Sequence, residues 1–209
     1  LKRTPFVFEI RDLWPESAID TGVLTSGILI KFAYWFEKFM YKKARLINVL
    51  TPAFREKLIT EKGVLAKKII FIPNAADFSL SEQLLKNFDI QTFRKEHDLE
   101  GKFVVTYVGA HGVANHLVQV LDTAELLQGT NVLFLLIGDG MLKKELMEDA
   151  QRRDLSNVRF IDSVPKREVF KYILASDVGA SVLKKVDTFK TIYSNKTFDY
   201  MSCQKPILM

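Results

Sequence analysis

Short, almost continuous apolar runs alternate with stretches of helical period along most of the chain. The runs are "FVFEI" (6–10), "RLINVL" (45–50), "KIIFIP" (68–73), "FVVTYVG" (103–109), "VLFLLIG" (132–138), "VRFID" (158–162) and "VGASVL" (178–183). Between them the pattern predicts helices near 28–44, 52–61, 115–128, 141–153, 165–175 and 195–203. Strands apolar at successive positions are buried on both faces, so the alternation predicts an α/β fold with parallel sheets. The rhythm breaks once, between Pro73 and Lys102, where "PNAADFSLSEQLLKNFD" brings turn formers and polar residues ahead of a short charged helix in "IQTFRKEHDLEG". The boundary expected there divides 1–73, the end of one Rossmann-like domain, from 74–209, most of a second. The closing "PILM" reads as a buried strand with no covering helix after it, and the first residue is Leu1. Both ends are therefore expected to be cut and both domains incomplete.

Composition narrows the function classes. With 48% hydrophobic and 26% charged residues in 209, the chain can bury a core and is not disordered. No apolar stretch approaches the roughly 18 residues of a spanning helix. A formal charge of +5 favours anionic partners: phosphorylated ligands, a membrane surface or nucleic acid. The basic excess is small and the aromatics fall in apolar runs, so no nucleic-acid partner is expected. Cys203 is the only cysteine, which excludes an internal disulfide framework and offers no zinc spacing.

In open α/β sheets ligands bind beyond the carboxyl ends of the strands, at loops leading into helices. Three stretches hold that position. In "TYVGAHGVANH" (106–116), Gly109 and Gly112 allow close backbone approach, and the next helix offers free N–H groups to an anion. In "IGDGMLKKEL", Gly138 and Gly140 follow the next strand, with Lys143 where a dinucleotide fingerprint would carry its third glycine. In "TIYSNKTFDYMSCQKPIL", Ser194 is placed to cap a helix whose first turn carries Asn195 and Lys196, with Asp199 one turn further along. Free N–H groups and an ammonium suit a diphosphate, and a carboxylate suits ribose hydroxyls. Any one loop also reads as a tight turn with no ligand, His111 and His116 as capping or surface residues, and Lys184, Lys185 and Lys190 as a solvated face.

The stretch "ILIKFAYWFEKFMYKKAR" (28–45) has helical period, with Lys31, Lys38, Lys42 and Arg45 on one face around Trp35. Leu29, Phe32, Ala33, Phe36 and Met40 are expected on the opposite side. Lysines interleaved with Trp and Tyr suit a helix resting on anionic headgroups, so Lys31, Trp35, Lys38 and Lys42 are expected to face a membrane. An ordinary core-packing helix with a solvated face is the alternative.

The ordered set "FEIRDLWPES", "IPNAAD", "YVGAHGVANHL", "LLIGDG", "NVRFIDSVPKREV", "ASDVGASVL" and "SNKTFDYMSCQKPIL" resembles retaining glycosyltransferases of family 4, GT-B fold. The likeness runs over essentially the whole chain and points to the bacterial branch that builds O-antigen, capsule and colanic-acid polysaccharides. It implies two facing Rossmann-like domains, the first for the acceptor and the second for the nucleotide sugar. It further implies transfer, with retention, of an N-acetylated amino or deoxy-amino sugar from a UDP-sugar to an undecaprenyl-diphosphate-linked saccharide. The place implied is the cytoplasmic face of the plasma membrane, with the enzyme peripheral to it. By position, Gly109, His111, Gly112, Asn115, Gly138 and Gly140 would lie over the donor, Val164 and Pro165 near the base, and Thr191, Tyr193, Ser194, Asn195, Lys196 and Asp199 along the sugar, diphosphate and ribose. Arg11 and Asp12 stand where the family's acceptor-side His-Asp pair falls, and Thr191 where the first acid of its Glu-x7-Glu motif falls. The arginine and lysine that many members use on the diphosphate are missing from the 109–116 loop, which leaves Lys196 as the substitute. Lys196 and Asp199 are thus candidate catalytic groups with Arg11 and Asp12, and no cofactor or metal is expected. Two alternatives stand beside this: a transferase acting on a small soluble acceptor, and a nucleotide-sugar-binding or membrane-associated module silenced by Thr191.

Overall fold

A computed structural model describes residues 4–209, so residues 1–3 of the expected first domain lie outside the described residues. The chain forms two compact units. The first comprises 1–74 together with 185–193, and the second comprises 75–184 and 194–209.

In the first unit β1 (Val7–Ile10), β2 (Leu46–Val49) and β3 (Ile69–Phe71) pair in parallel, in that order. The short α1 (Glu16–Asp20) and the long α2 (Gly27–Lys43) connect β1 to β2, and α3 (Pro52–Thr60) connects β2 to β3. Thr51 starts α3 by accepting a hydrogen bond from the Phe54 N–H, with Pro52 at the first helical position, where its missing N–H costs nothing. Ile10, Leu13, Tyr41, Ile47, Val49, Phe54 and Leu58 make the core. The sequence pattern ran the second domain unbroken from 74 to 209, but 185–193 packs with the first unit. Ile192 lies on the first unit's core and the Thr188 hydroxyl donates to Asp20. A polar and lysine-rich stretch carries too little periodicity to reveal such a return.

The second unit runs α4 (Phe78–Asn87), α5 (Ile90–Glu96), β4 (Phe103–Val108), α6 (Val118–Leu126), β5 (Val132–Ile137), α7 (Lys143–Arg152), β6 (Val158–Ile161), α8 (Lys166–Ala175), β7 (Val178–Ala180), α9 (Asn195–Ser202) and β8 (Ile207–Leu208). Its parallel sheet has the order β6-β5-β4-β7-β8. Alternate residues of the strands feed opposite faces: Val105, Tyr107, Phe134 and Leu136 meet α6 and α7, while Val104, Leu133, Leu135 and Ile137 meet Phe93 and Ala175. Burial on both sides explains why these strands read as unbroken apolar runs. Helix α4, expected as irregular chain, is capped by Asp77 and packs Leu84 against Phe170, Ile173 and Leu174 of α8. Its few apolar positions form a stripe only once α8 is present to bury it.

The strand order reverses between β4 and β7. At such a switch point the two crossovers lead away from each other and leave a crevice at the carboxyl ends. Tyr200 of α9 fastens this place: its hydroxyl accepts from the Val108 N–H at 3.0 Å and lies within donating distance of the Thr106 and Ala180 carbonyls. Tyr200→Phe leaves that N–H unpaired, and is expected to lower the unfolding free energy by about 1–3 kcal/mol in a urea titration.

Candidate functional site

The loops after β4 and β5 continue the pairing of their strands. The Gly109 N–H donates to Ile137 O at 3.0 Å and the His111 N–H to Asp139 O at 2.8 Å. Gly138 and Gly140 take φ values of 143° and 156°. A Cβ on Gly138 would collide with the Gly109 carbonyl, and one on Gly140 would stand 2.6 Å from the His111 carbonyl oxygen. Both are therefore required by the close approach of two loops, one reason for glycine that the sequence left open. Lys143 has a structural role as well. Its ammonium donates to the Gly138 carbonyl at 2.9 Å and to Asp162 at 2.5 Å, tying the ends of β5 and β6 together.

Lys196, in the first turn of α9, gathers the candidate site residues around it. Its ammonium lies 4.7 Å from the centroid of the Tyr107 ring and 3.3 Å from Asn115 Oδ1. A Cβ on Gly109 would touch its Cε at 3.1 Å. Among the described residues no carboxylate forms an ion pair with it, and burial pulls its pKa down to about 8. Asn115 also donates to the Ala110 carbonyl at 2.8 Å, as does the Tyr107 hydroxyl at 2.8 Å, so loop, ring and lysine form one cluster. The chain after β7 joins them, because the Lys184 N–H donates to Ala114 O at 2.8 Å. Asp199 lies half-buried one turn along α9, 3.5 Å from the Lys166 ammonium at the start of α8. Burial raises its pKa, and Lys166 opposes that rise.

Several expected site residues are placed otherwise. The His111 ring is fully buried beside Tyr107 and Phe160, and neither ring nitrogen has a partner. Burial, then Lys143, lowers its pKa. Its neutral ring packs under the loop instead of presenting itself to a ligand. The helix expected from about 115 is preceded by a 3-10 turn, Val113–Asn115, ended by His116 at φ 46°, and α6 begins only at Val118. Left-handed His116 breaks the helix that the apolar pattern predicts. Ser194 occupies the N-cap of α9 without a side-chain cap hydrogen bond. Gly112 has extended backbone (φ −117°) and open space where a Cβ would go. Val164 is part of a hydrophobic cluster and Pro165 starts α8, at the carboxyl end of β6. Asn195, in the first turn of α9, is exposed. Thr191, at the end of the 3-10 helix Asp187–Thr191, and Tyr193 belong to the first unit. So do Arg11, 3.5 Å from Glu9 at the surface, and the exposed Asp12 at the carboxyl end of β1. Sequence reasoning passed over Tyr107, Tyr200 and Lys166, whose places depend on which strand and helix ends meet. Among the described residues no group of three or more His, Cys, Asp or Glu side chains is placed to hold a metal ion, and no helix is long and apolar enough to cross a membrane.

Parallel sheets in two units define an α/β protein whose fold matches half of the GT-B glycosyltransferase structures. Residues 1–75 match the model of the "Glycosyl transferase 4-like domain". Over 158 residues the chain is 27% identical to WcaI of Escherichia coli (strain K12), a glycosyl transferase assigned to colanic acid biosynthesis, covering 74% of this chain and 38% of that protein. Anabaena Alr3699/HepE, solved in complex with UDP-glucose, superposes with a TM-score of 0.76 at 19% identity over 98% of this chain and 53% of its own. WaaG, a glycosyltransferase involved in lipopolysaccharide biosynthesis, gives 0.77 at 15% identity over 98% and 56%. Residues 1–75 are thus similar in sequence to a GT4-like domain, and the chain, which spans about half the length of these GT-B structures, has the fold of that half.

Proposed function

We propose that the second unit binds a UDP-sugar at the crevice between β4 and β7. The protein of which it is part moves that sugar, an N-acetylated amino or deoxy-amino sugar, with retention onto a lipid-linked saccharide of a bacterial surface polysaccharide. The observation that carries this is Lys196: a half-hidden ammonium with no carboxylate partner among the described residues, at the switch point where a diphosphate would lie. A buried cation is costly unless something anionic completes its surroundings. Asp199, one turn along, is positioned for ribose hydroxyls, while Gly109, Gly112 and Asn115 border the diphosphate and sugar. Gly138, Gly140, Val164 and Pro165 shape the walls, the last two towards the base. Ser194, Asn195 and Lys196 offer the first-turn N–H groups of α9. The family likeness implies further roles for Thr191 and Tyr193 and, toward the acceptor, for Arg11 and Asp12, all of which belong to the first unit. Lys31, Trp35, Lys38 and Lys42 belong to a membrane-docking helix of a peripheral protein at the cytoplasmic face.

In such a transfer the bond from the anomeric carbon to the diphosphate oxygen breaks while the acceptor hydroxyl attacks the same face. Its proton passes to the departing diphosphate. The protein's task is to stabilise the charge growing on the leaving oxygens, which fixed donors and a desolvated ammonium do without reorganising. The absence of an acid at Thr191 favours a second reading, a module that binds the donor without turning it over.

Thermal unfolding with UDP, GDP and ADP, each with and without magnesium, tests the binding step. A nucleotide at about 100 times its dissociation constant stabilises by about 2.7 kcal/mol. The expected result is stabilisation by UDP, indifferent to magnesium and lost in Asp199→Ala. An unchanged melting curve with all three nucleotides, in this chain and in a longer protein containing it, overturns the proposal.

A further inference from the structure

In the second unit α4, α8 and α9 pack together through Leu84, Phe170, Ile173, Leu174, Tyr200 and Cys203. That packing brings Lys166, the first residue of α8, beside Asp199 of α9: its ammonium lies 3.5 Å from Asp199 Oδ1 and 5.3 Å from the centroid of the Phe170 ring. Asp77, the cap of α4, lies in the same field. Hydrogen bonds from Ser79 and then the charge of Lys166 lower its pKa. A lysine in the first turn of a helix stands at the unfavourable end of the macrodipole, so helix stability does not account for Lys166. Nor does the strength of the ion pair, since the lysine side chain is 56% exposed and such pairs contribute little. Arg167 beside it has a different task, donating to the Gln83 side chain of α4 at 3.1 Å.

We infer that Lys166 is the positioning residue of the ribose subsite: its ammonium fixes the Asp199 carboxylate where both hydroxyls of the nucleotide's ribose can donate to it. The inference rests on the ribose role proposed above for Asp199 and adds the group through which that carboxylate works. An ionised carboxylate only accepts, so it takes two hydroxyl donors, whereas a protonated one has turned an oxygen into a donor itself. Burial opposes the charge on Asp199 and raises its pKa, Lys166 lowers it, and Asp77 adds to the rise. On α9 itself Tyr200 and Cys203 lie in the same field, and burial keeps both protonated. Lys166 is thus the cation that offsets burial. The ribose prefers the ionised form, so affinity falls as the pH drops through the Asp199 pKa, and loss of Lys166 moves that fall to higher pH.

Calorimetric titration of the chain with UDP and with dideoxy-UDP, which lacks both ribose hydroxyls, is the test. The ratio of the two affinities isolates the hydroxyls, because the diphosphate and its own ionisation are common to both ligands. In the parent the ratio should be about tenfold or more near neutral pH, as hydrogen bonds to a charged group imply, and should fall as the solution is acidified. Lys166→Met should lower the ratio about fivefold in mild acid and less in mild base, and Lys166→Arg should restore it. Arg167→Met removes the same charge from the same turn and should leave the ratio and its pH dependence as in the parent. Both side chains stand at the surface, and an unchanged circular dichroism spectrum verifies the fold. Equal losses of UDP and dideoxy-UDP in Lys166→Met would put the ammonium on the diphosphate, and an unchanged ratio would leave it a surface cation. Either result overturns the inference while UDP binding stands. A parent chain that binds neither ligand, or binds both equally, overturns the ribose role of Asp199 and this inference with it.

Discussion

Lys196→Met is expected to stabilise the ligand-free protein and to destroy its response to UDP. The two effects have one cause. Burial lowers the lysine's pKa from 10.5 to about 8, so the folded state holds the ammonium at a cost. In the unfolded chain the group titrates normally, and between pH 8 and 10.5 the unfolded state binds more protons. Stability rises with pH through that window. Below pH 8 both states are charged and the full cost is present, and above 10.5 it is gone. Removing the charge at pH 7 should therefore add about 3 kcal/mol to the unfolding free energy of the empty protein. A diphosphate reverses the balance by favouring the ammonium, so binding draws in a proton once the solution is above pH 8. UDP affinity should then fall up to tenfold per pH unit above 8 in the parent and be flat there in Lys196→Arg, whose guanidinium stays charged. Calorimetry in buffers of different ionisation enthalpy reads the proton uptake directly. A Met variant that is less stable than the parent, or that binds UDP as well, would show that the ammonium has a structural partner instead of an anionic ligand.

Gly138→Ala is expected to be the most damaging methyl group that can be added to the second unit. The residue sits at φ 143°, where an L side chain is strained, and its Cβ would strike the backbone carbonyl of Gly109. Neither partner can yield, because Gly109 is pinned to Ile137 and Gly138 itself donates to Ile161 O at 3.0 Å. Strain and overpacking together should cost roughly 3 kcal/mol or more, and nucleotide binding should go with the displaced loop. Gly112→Ala is the control, since nothing lies within 4 Å of its Cβ and its backbone is extended. Its stability should change by no more than about 0.5 kcal/mol. A loss of UDP affinity without a loss of stability at Gly112 would mark the place where the ligand passes closest to the loop.

The helices and strands that bury both sides were legible in the sequence, because a continuous apolar run such as "VLFLLI" has no other stable use at that length. The glycine loops after β4 and β5 were legible for the same reason, as interruptions that a strand cannot tolerate. His111 was misread: a histidine among glycines looks like a ligand contact, but the pairing of loop 109–111 with 137–139 turns its ring inward. Helix α2 was legible as amphipathic, but that Ala33, Glu37 and Tyr41 are its buried positions depends on partners such as Lys62 far along the chain.

The sequence by itself determined the fold class and the parallel sheets, and pointed to a break near residue 74 and to three loop stretches as candidates for chemistry. These depend on local periodicity and on backbone freedom at single residues, both of which are written in neighbouring letters. Tertiary structure alone decided that Lys196 lies over Tyr107 and against Asn115, that Lys143 fastens two loops, and that 185–193 packs with the first unit. It also decided which side of α2 is left to solvent. Each of these sets together residues far apart in the chain, and the cost of a buried charge or the room for a methyl group is settled only by what the fold brings alongside.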